Sequence, residues 1–430
     1  LQRQLSKQGL TAEQCKWQSV YTGLMAPSGE ALNHPAAGML LEFATKGCPV
    51  DTGPIWSKDM LEAAMTKGAH PSAMDPTAST QLRAESLEKA EQGFCRLVPW
   101  DNIKDDPPPN LKISPIAAVP HKSRGFRMIL DLSYGVTIDG NRMPSVNEAT
   151  NDDVAPLHSM TELGKVLPRL IYAVGTAPEN KGPILFSKLD IKDGYWRMVV
   201  PADDEWNFAY VLPKQNPQDP DEPPILVIPS SLQMGWTHSP ANFCAASETA
   251  RDVHETIAHK PIGSLPPHVL EPFMLPSDLP SLSAASPQDC ADADVKHIDD
   301  FCRLLECFVD DFMGLAQTTD ETILRHLSRS MIDAIHSVFP PPAVTGHAGD
   351  EPISMKKLRE GDGLWAVRKE LLGWVFDGIS RCIELPTSKV ESLLSDLHTT
   401  SRATTVPYKT FEKLRGRLRH ACIGIPAGKG

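Results

Sequence analysis

The sequence predicts an α+β fold, and three observations carry that prediction. Apolar, β-favouring runs at 184–189 and 304–315 end in or enclose acidic residues, as strands do when they deliver carboxylates to the end of a sheet. Residues 320–338 keep helical spacing through Ile323, Leu327, Met331 and Ile335, which predicts a core-packing helix. Residues 80–97 read as a further helix, with Glu85, Glu88 and Glu91 interleaved with Leu87 and Phe94.

The chain has 430 residues, 41% hydrophobic and 22% charged, enough for two or three subdomains with cores of their own. No uncharged apolar run is long enough to span a bilayer, and the amino end lacks a signal peptide's apolar core. No membrane partner and an intracellular location, cytoplasmic or nuclear, are therefore expected. Nine cysteines without a Cys-x-x-Cys or a paired His spacing argue against a disulfide framework or a zinc knuckle, and for a reducing compartment. The chain opens on Leu1 and closes on Gly428-Lys429-Gly430, so a fragment of a longer reading frame is expected. A net charge of −12 weighs against a simple basic nucleic-acid binder. Its distribution is uneven, however: acids crowd residues 271–300, whereas Arg402, Lys409, Lys413, Arg415, Arg417, Arg419 and Lys429 crowd the end. That basic stretch reads either as a surface for a duplex backbone or as a solvated helix face.

Taken in order, residues 1–85 read as helical segments broken by Pro and Gly. They contain Val50-Asp51-Thr52-Gly53, which invites comparison with an aspartic protease. Lys46-Gly47-Cys48-Pro49 precedes it and a helix-like Ser57–Ala64 follows, so no strand frames the Asp and the string is read as chance. Pro107-Pro108-Pro109 opens a strand-rich stretch in which Lys122 and Arg127 flank the turn Ser123-Arg124-Gly125. Paired cations at a hairpin tip suit a triphosphate, and a solvated basic turn is the alternative. The run Ile184–Leu189 delivers Asp190, after which Asp193-Gly194 breaks the strand. Asn216–Pro224 is a Pro-rich loop between strands, and residues 256–295, rich in Pro, Ser, Asp and Ala, read as a mobile surface insertion.

The most informative feature is Asp310-Asp311 within Leu304–Leu315. Burying a charged carboxylate costs several kcal/mol, so adjacent acids between apolar runs need a compensating cation. Asp105-Asp106, Asp152-Asp153, Asp203-Asp204 and Asp299-Asp300 sit in polar or Pro-rich surroundings where solvated turns account for them. Hard oxygen ligands converging at one point suit Mg²⁺, and Asp190 as a third carboxylate completes a set suited to two-metal phosphoryl transfer.

These blocks, together and in this order, resemble the reverse transcriptases of retroelements, LTR-type or related. Ile184–Met198 resembles that family's motif A, Ser231–Ala241 its motif B, and Phe308-Val309-Asp310-Asp311 its aromatic-x-Asp-Asp box. His121–Ser133 resembles the fingers hairpin, Leu372-Gly373-Trp374 the primer grip, and Lys356-Lys357 falls where a motif D lysine is common. The resemblance spans roughly residues 86–425 and implies a right-hand polymerase. Its parts would be an N-terminal helical extension over 1–85, fingers over 86–185, palm over 186–255 and 296–385 around the insertion 256–295, and a partial thumb over 386–430.

The resemblance further implies Asp190, Asp310 and Asp311 as catalytic metal ligands, the Ile191 carbonyl as an added oxygen, and two Mg²⁺ ions with Mn²⁺ as a substitute. It implies Lys122, Arg127, Asp193, Gly194, Tyr195, Met234 and Gly235 as contacts to a deoxynucleoside triphosphate, with Tyr195 excluding a 2′-hydroxyl and Met234 acting sterically. For Tyr195 a core-packing role is the alternative, weighed against Trp196 next to it as the buried residue instead. The implied partners are an RNA or DNA template-primer, deoxynucleoside triphosphates, and a dimer mate or flanking polyprotein domains. Three classes compete: an active reverse transcriptase of a retrotransposon polyprotein, an RNA-dependent RNA polymerase, and a decayed or domesticated nucleic-acid-binding copy. Phe308-Val309 and Tyr195 favour the first, and the intact acids speak against decay.

Overall fold

The computed structural model describes residues 34–121, 125–216, 219, 221–277, 303–341 and 351–424. It is α+β, built of helices and small antiparallel sheets. Helix α1 (Ala37–Lys46) is followed by α2 (Lys58–Lys67), which starts where Ser57 accepts from the Met60 amide. Helix α3 (Pro76–Glu91) has Asp75 accepting from Thr77 and Ala78, with Pro76 in the first turn. The expected helix over 80–97 therefore ends early: Gly93 takes positive φ, and residues Cys95–Pro99 form strand β1.

Strands β2 (Ile116–His121) and β3 (Gly125–Leu130) form a hairpin, as do β4 (Thr137–Ile138) and β5 (Asn141–Arg142). Helix α4 (Val146–Ala149) carries a capping box between Ser145 and Glu148. Next come α5 (Val166–Thr176), β6 (Leu185–Asp190), β7 (Tyr210–Val211), β8 (Ile225–Pro229) and α6 (Ser239–Ala258). Strands β9 (Arg303–Phe308) and β10 (Asp311–Ala316) precede α7 (Glu321–Val338) and α8 (Met355–Arg359). The chain continues through β11 (Arg368–Leu371), β12 (Trp374–Asp377) and β13 (Cys382–Glu384) into α9 (Thr387–Arg402) and α10 (Tyr408–Gly424). No helix among the described residues is long and apolar enough to cross a membrane.

The chain divides into two compact units. The first comprises Leu1–Met160, Lys192–Thr249 and His336–Pro352. It holds the sheet β1-β8-β7, whose β7–β8 connection is the expected Pro-rich loop. Within it the Val50–Gly53 string is structural: Asp51 accepts from the Gly53 amide, and the buried Lys112 donates to the Thr52 carbonyl at 2.5 Å and to its hydroxyl at 2.7 Å. Burial lowers the Lys112 pKa to about 8.

The second unit comprises Thr161–Ile191, Ala250–Ile335 and Ile353–Gly430. Its centre is the antiparallel sheet β6-β10-β9, with β10 in the middle. One face packs Phe186, Met313 and Leu315 against Val166, Leu170 and Val174 of α5 and against Trp374 and Phe376 of β12. Full burial of one such side chain is worth roughly 1.5–3 kcal/mol. On the other face Gly314 leaves room for Met331 and Trp365, which a Cβ would meet at 2.8 and 2.9 Å. The expected helix over 320–338 is α7, and Ile323, Leu327, Met331 and Ile335 are its buried residues.

The expected mobile insertion over 256–295 requires a correction in its first part. Residues 256–277 are built into the second unit, with Leu265, Leu270 and Met274 buried. Glu271, also buried, receives Arg325 and Arg329 of α7 at 2.6 Å each. Polar composition misleads here because two guanidinium groups neutralise that one acid. Residues 278–295 lie outside the described residues.

Candidate functional site

Register places the acids. Asp311 is the first residue of β10 and lies opposite Asp190, the last of β6, while β10 also pairs with β9 so that Asp311 faces Phe308. A two-residue turn, Val309-Asp310, closes the β9–β10 hairpin and puts Asp310 beside the other two. One carboxylate oxygen from each of Asp190, Asp310 and Asp311 lies within 4.8 Å of the others. Like charges directly opposite across two strands are destabilising, so this convergence costs stability.

Backbone strain adds to that cost. Val309 holds φ at 57°, a conformation that costs a β-branched residue about 1–2 kcal/mol. The turn is fastened by the Ile191 amide, which donates to the Asp310 carbonyl at 2.9 Å, and by the Cys307 thiol, which donates to the Val309 carbonyl at 3.4 Å. Strain of this kind persists where surroundings over-determine it, and it clusters at functional sites.

Two lysines seat their ammonium groups on the acids. Lys357 of α8 hydrogen-bonds Asp190, and Lys188 of β6 reaches Asp311 at 3.0 Å. Burial raises the Asp190 pKa, Asp310 and Asp311 add to the rise, and Lys357 opposes it, leaving the group at about 7. Burial also raises the Asp310 pKa, with Asp311 contributing. For Lys357 burial works downward, but the Asp190 hydrogen bond and the charges of Asp190, Asp311 and Asp310 together outweigh it and the pKa is raised. Three clustered carboxylates, two of them holding lysine ammonium groups, form a donor set of hard oxygens that fits divalent cations of the Mg²⁺ kind.

A second buried ion pair steadies the strand that carries the hairpin. Glu306 of β9 lies on the same face as Asp311 and accepts Arg169 of α5 in bidentate geometry, at 2.5 and 2.7 Å. Arg169 also reaches Glu162 at 2.6 Å.

The residues resembling a primer grip form the β11–β12 turn. Leu372 and Gly373 both take positive φ, 48° and 79°, the conformation a two-residue hairpin needs. Lys389 of α9 donates to the Gly373 carbonyl at 2.9 Å, and His420 of α10 is 3.0 Å from the Leu372 carbonyl and stacks on Trp374. Leu372 and Gly373 line a pocket of about 300 Å³ together with Lys188, Asp311, Asp362, Lys369 and Glu370. The turn and Asp311 therefore border one space within the second unit.

The expected nucleotide contacts fall in the first unit. Lys122 lies outside the described residues. Arg127, on β3, is 3.3 Å from His121. Asp193 adopts φ 54° and its side chain is committed to Lys89 at 2.6 Å. Gly194 is required where it stands, since a Cβ would meet the Phe243 ring at 2.8 Å. Tyr195 is half-buried and sets its ring edge-on to Phe243, with centroids 5.5 Å apart. Trp196 is half-buried too, so burial does not single it out as the packing residue in place of Tyr195. Met234 is exposed, and Gly235 at φ 115° admits the Leu130 carbonyl, which a Cβ would meet at 2.1 Å.

Lys188, Lys369, Arg169 and Glu306 did not stand out in the sequence. Lys188 had a readable signal, because two residues before Asp190 on one strand means the same face. Lys357 belongs to the lysine pair at 356–357, and only the structure separates it from Lys356, which lies 3.9 Å from Glu360.

No protein-family model matches the chain, and no curated protein matches it. Among solved structures the chain is similar to a foamy viral protease-reverse transcriptase dRH in complex with double-stranded DNA, at 16% identity and a TM-score of 0.39, covering 88% of this chain and 43% of that one. It is also similar to a foamy viral protease-reverse transcriptase in complex with double-stranded DNA, at 14% identity and a TM-score of 0.41, covering 96% of this chain and 62% of that one. The chain thus spans between two fifths and two thirds of those proteins' length.

Proposed function

We propose that the chain is an RNA-directed DNA polymerase, the reverse transcriptase of a retrotransposon polyprotein, acting inside the cell on an RNA or DNA template-primer. The observation that carries this reading is the convergence of Asp190, at the end of β6, with the adjacent Asp310 and Asp311 of the β9–β10 hairpin onto one end of the β6-β10-β9 sheet. The ordered blocks that resemble motifs A, B and C supply the reaction class.

In this reading Asp190, Asp310 and Asp311 hold two Mg²⁺ ions, with the Ile191 carbonyl as a further oxygen. When bound, such ions activate an attacking hydroxyl and neutralise charge on the transferring phosphoryl group. The chain's own residues do the rest. The Val309-Asp310 turn fixes the acids, Glu306 and Arg169 anchor β9, and the Leu372-Gly373 turn orients the primer end beside Asp311. Arg127 with Lys122 would meet the triphosphate, Asp193 and Gly194 would offer backbone N–H groups, and Tyr195 with Met234 and Gly235 would shape the sugar pocket. The fingers, palm and partial thumb would follow the boundaries expected above, with 256–277 joined to the palm, and α10 would carry the basic surface toward the duplex.

The test is primer extension on RNA and on DNA templates with Mg²⁺ and either deoxynucleotides or ribonucleotides. DNA synthesis on both templates supports the reading. Ribonucleotide incorporation alone would point to an RNA polymerase, and binding of template-primer without extension to a decayed copy.

A further inference from the structure

We propose that Lys188 is a built-in competitor for the cation: its ammonium holds Asp311 when no ion is bound and swings into the adjacent pocket when a divalent ion takes that carboxylate. This rests on the metal-site reading above and deepens it by assigning a residue that sets metal affinity.

Lys188 and Asp190 share a face of β6, and Lys188 lies opposite Met313, which makes it the diagonal neighbour of Asp311. A long side chain spans that diagonal, and its Nζ sits 3.0 Å from Asp311. Both side chains are largely buried, 18% and 22% exposed, so salt screens the pair weakly. Lys357 meanwhile holds Asp190.

Charge then decides the outcome. With the three carboxylates ionised, as ion binding requires, and both ammonium groups in place, two divalent ions would carry the site to about +3. An ammonium must leave. Lysine's compact charge on a flexible stem suits that movement better than a rigid arginine fork. Lys188 already borders the pocket of about 300 Å³, whose wall includes Asp362. Lys369, the other lysine there, donates to the Gly361 and Asp362 carbonyls at 3.2 and 2.5 Å, so its own ammonium is engaged with backbone rather than with that carboxylate.

The experiment is calorimetric titration of the whole chain with Mn²⁺, after removal of metal, for wild type, Lys188→Met and Lys188→Arg. Lys188→Met should bind roughly tenfold more tightly, the size of one charge-assisted hydrogen bond removed from the competition. Lys188→Arg, whose guanidinium still holds Asp311 and leaves less readily, should bind no more tightly than wild type. Equal or weaker binding by a Lys188→Met protein with wild-type circular dichroism would overturn the proposal. A second measurement needs no variant: acylation of Lys188 by an amine reagent, followed by mass spectrometry, should rise when Mn²⁺ is added. Unchanged reactivity at saturating Mn²⁺ would also overturn it. No Mn²⁺ binding by wild type would instead overturn the metal-site reading, and this inference with it.

Discussion

Replacing Asp190 by Asn in the metal-free protein should stabilise it at pH 8 and change little at pH 4. The unfolded-state pKa of an aspartate is about 3.9, whereas burial and the neighbouring acids carry Asp190 to about 7 in the fold. Between those values the folded state binds the proton that the unfolded state has lost, so stability falls as pH rises from about 4 to about 7. Each pH unit across that window is worth about 1.4 kcal/mol, giving roughly 4 kcal/mol lost by pH 8. Asn mimics the protonated acid in shape and does not titrate, so the variant escapes this loss. The assay is urea unfolding in EDTA at pH 4, 6 and 8, read by fluorescence of the buried Trp365 and Trp374. The gap between variant and wild type should open with pH and close again in wild type when Mg²⁺ is added. Parallel pH profiles, or a variant less stable than wild type at pH 8, would refute the electrostatic description of the site.

Other consequences follow from neighbouring contacts. Arg169→Met should cost about 3 kcal/mol in urea unfolding, because it leaves the buried Glu306 with only the more distant Arg251 at 3.9 Å, and the double variant Arg169→Met, Glu306→Met should recover most of that loss; an additive double variant would contradict it. Glu271→Ala should lower stability by about 3 kcal/mol, and amides from 265 to 274 should resist hydrogen exchange in wild type, whereas rapid exchange there would restore the mobile-insertion reading. Tyr195→Val should shift the ratio of specificity constants for ribo- over deoxynucleotides by on the order of a hundredfold, as removal of a built-in clash does. If that ratio holds while activity collapses, Tyr195 is a packing residue against Phe243.

How much of this was readable beforehand depends on the range of the interaction. Acids at the ends of apolar runs and the 3.6-residue spacing of 320–338 are local patterns, so Asp190, Asp310, Asp311 and helix α7 were legible. The end of α3 was less so, because Leu87 and Phe94 continue the helical spacing past Glu91 while Gly93 turns the backbone away. The pairing of Lys188 with Asp311 depends on strand register, and that of Arg169 with Glu306 on how α5 packs on β9, each across more than a hundred residues of sequence. No local pattern records that. Residues 256–277 failed for the same reason: their Pro and Ser content suggested exposure, and the two arginines that neutralise Glu271 lie on α7.

The central claim is that Asp190, Asp310 and Asp311 form the catalytic centre of a polymerase. Its most direct test measures single-turnover primer extension and template-primer binding side by side for wild type, Asp190→Asn, Asp310→Asn and Asp311→Asn. Each substitution should lower the extension rate by on the order of a thousandfold or more, about 4 kcal/mol of transition-state stabilisation, while binding of the template-primer stays within a few fold of wild type. Extension by any one of the three variants at near wild-type rate would contradict the account.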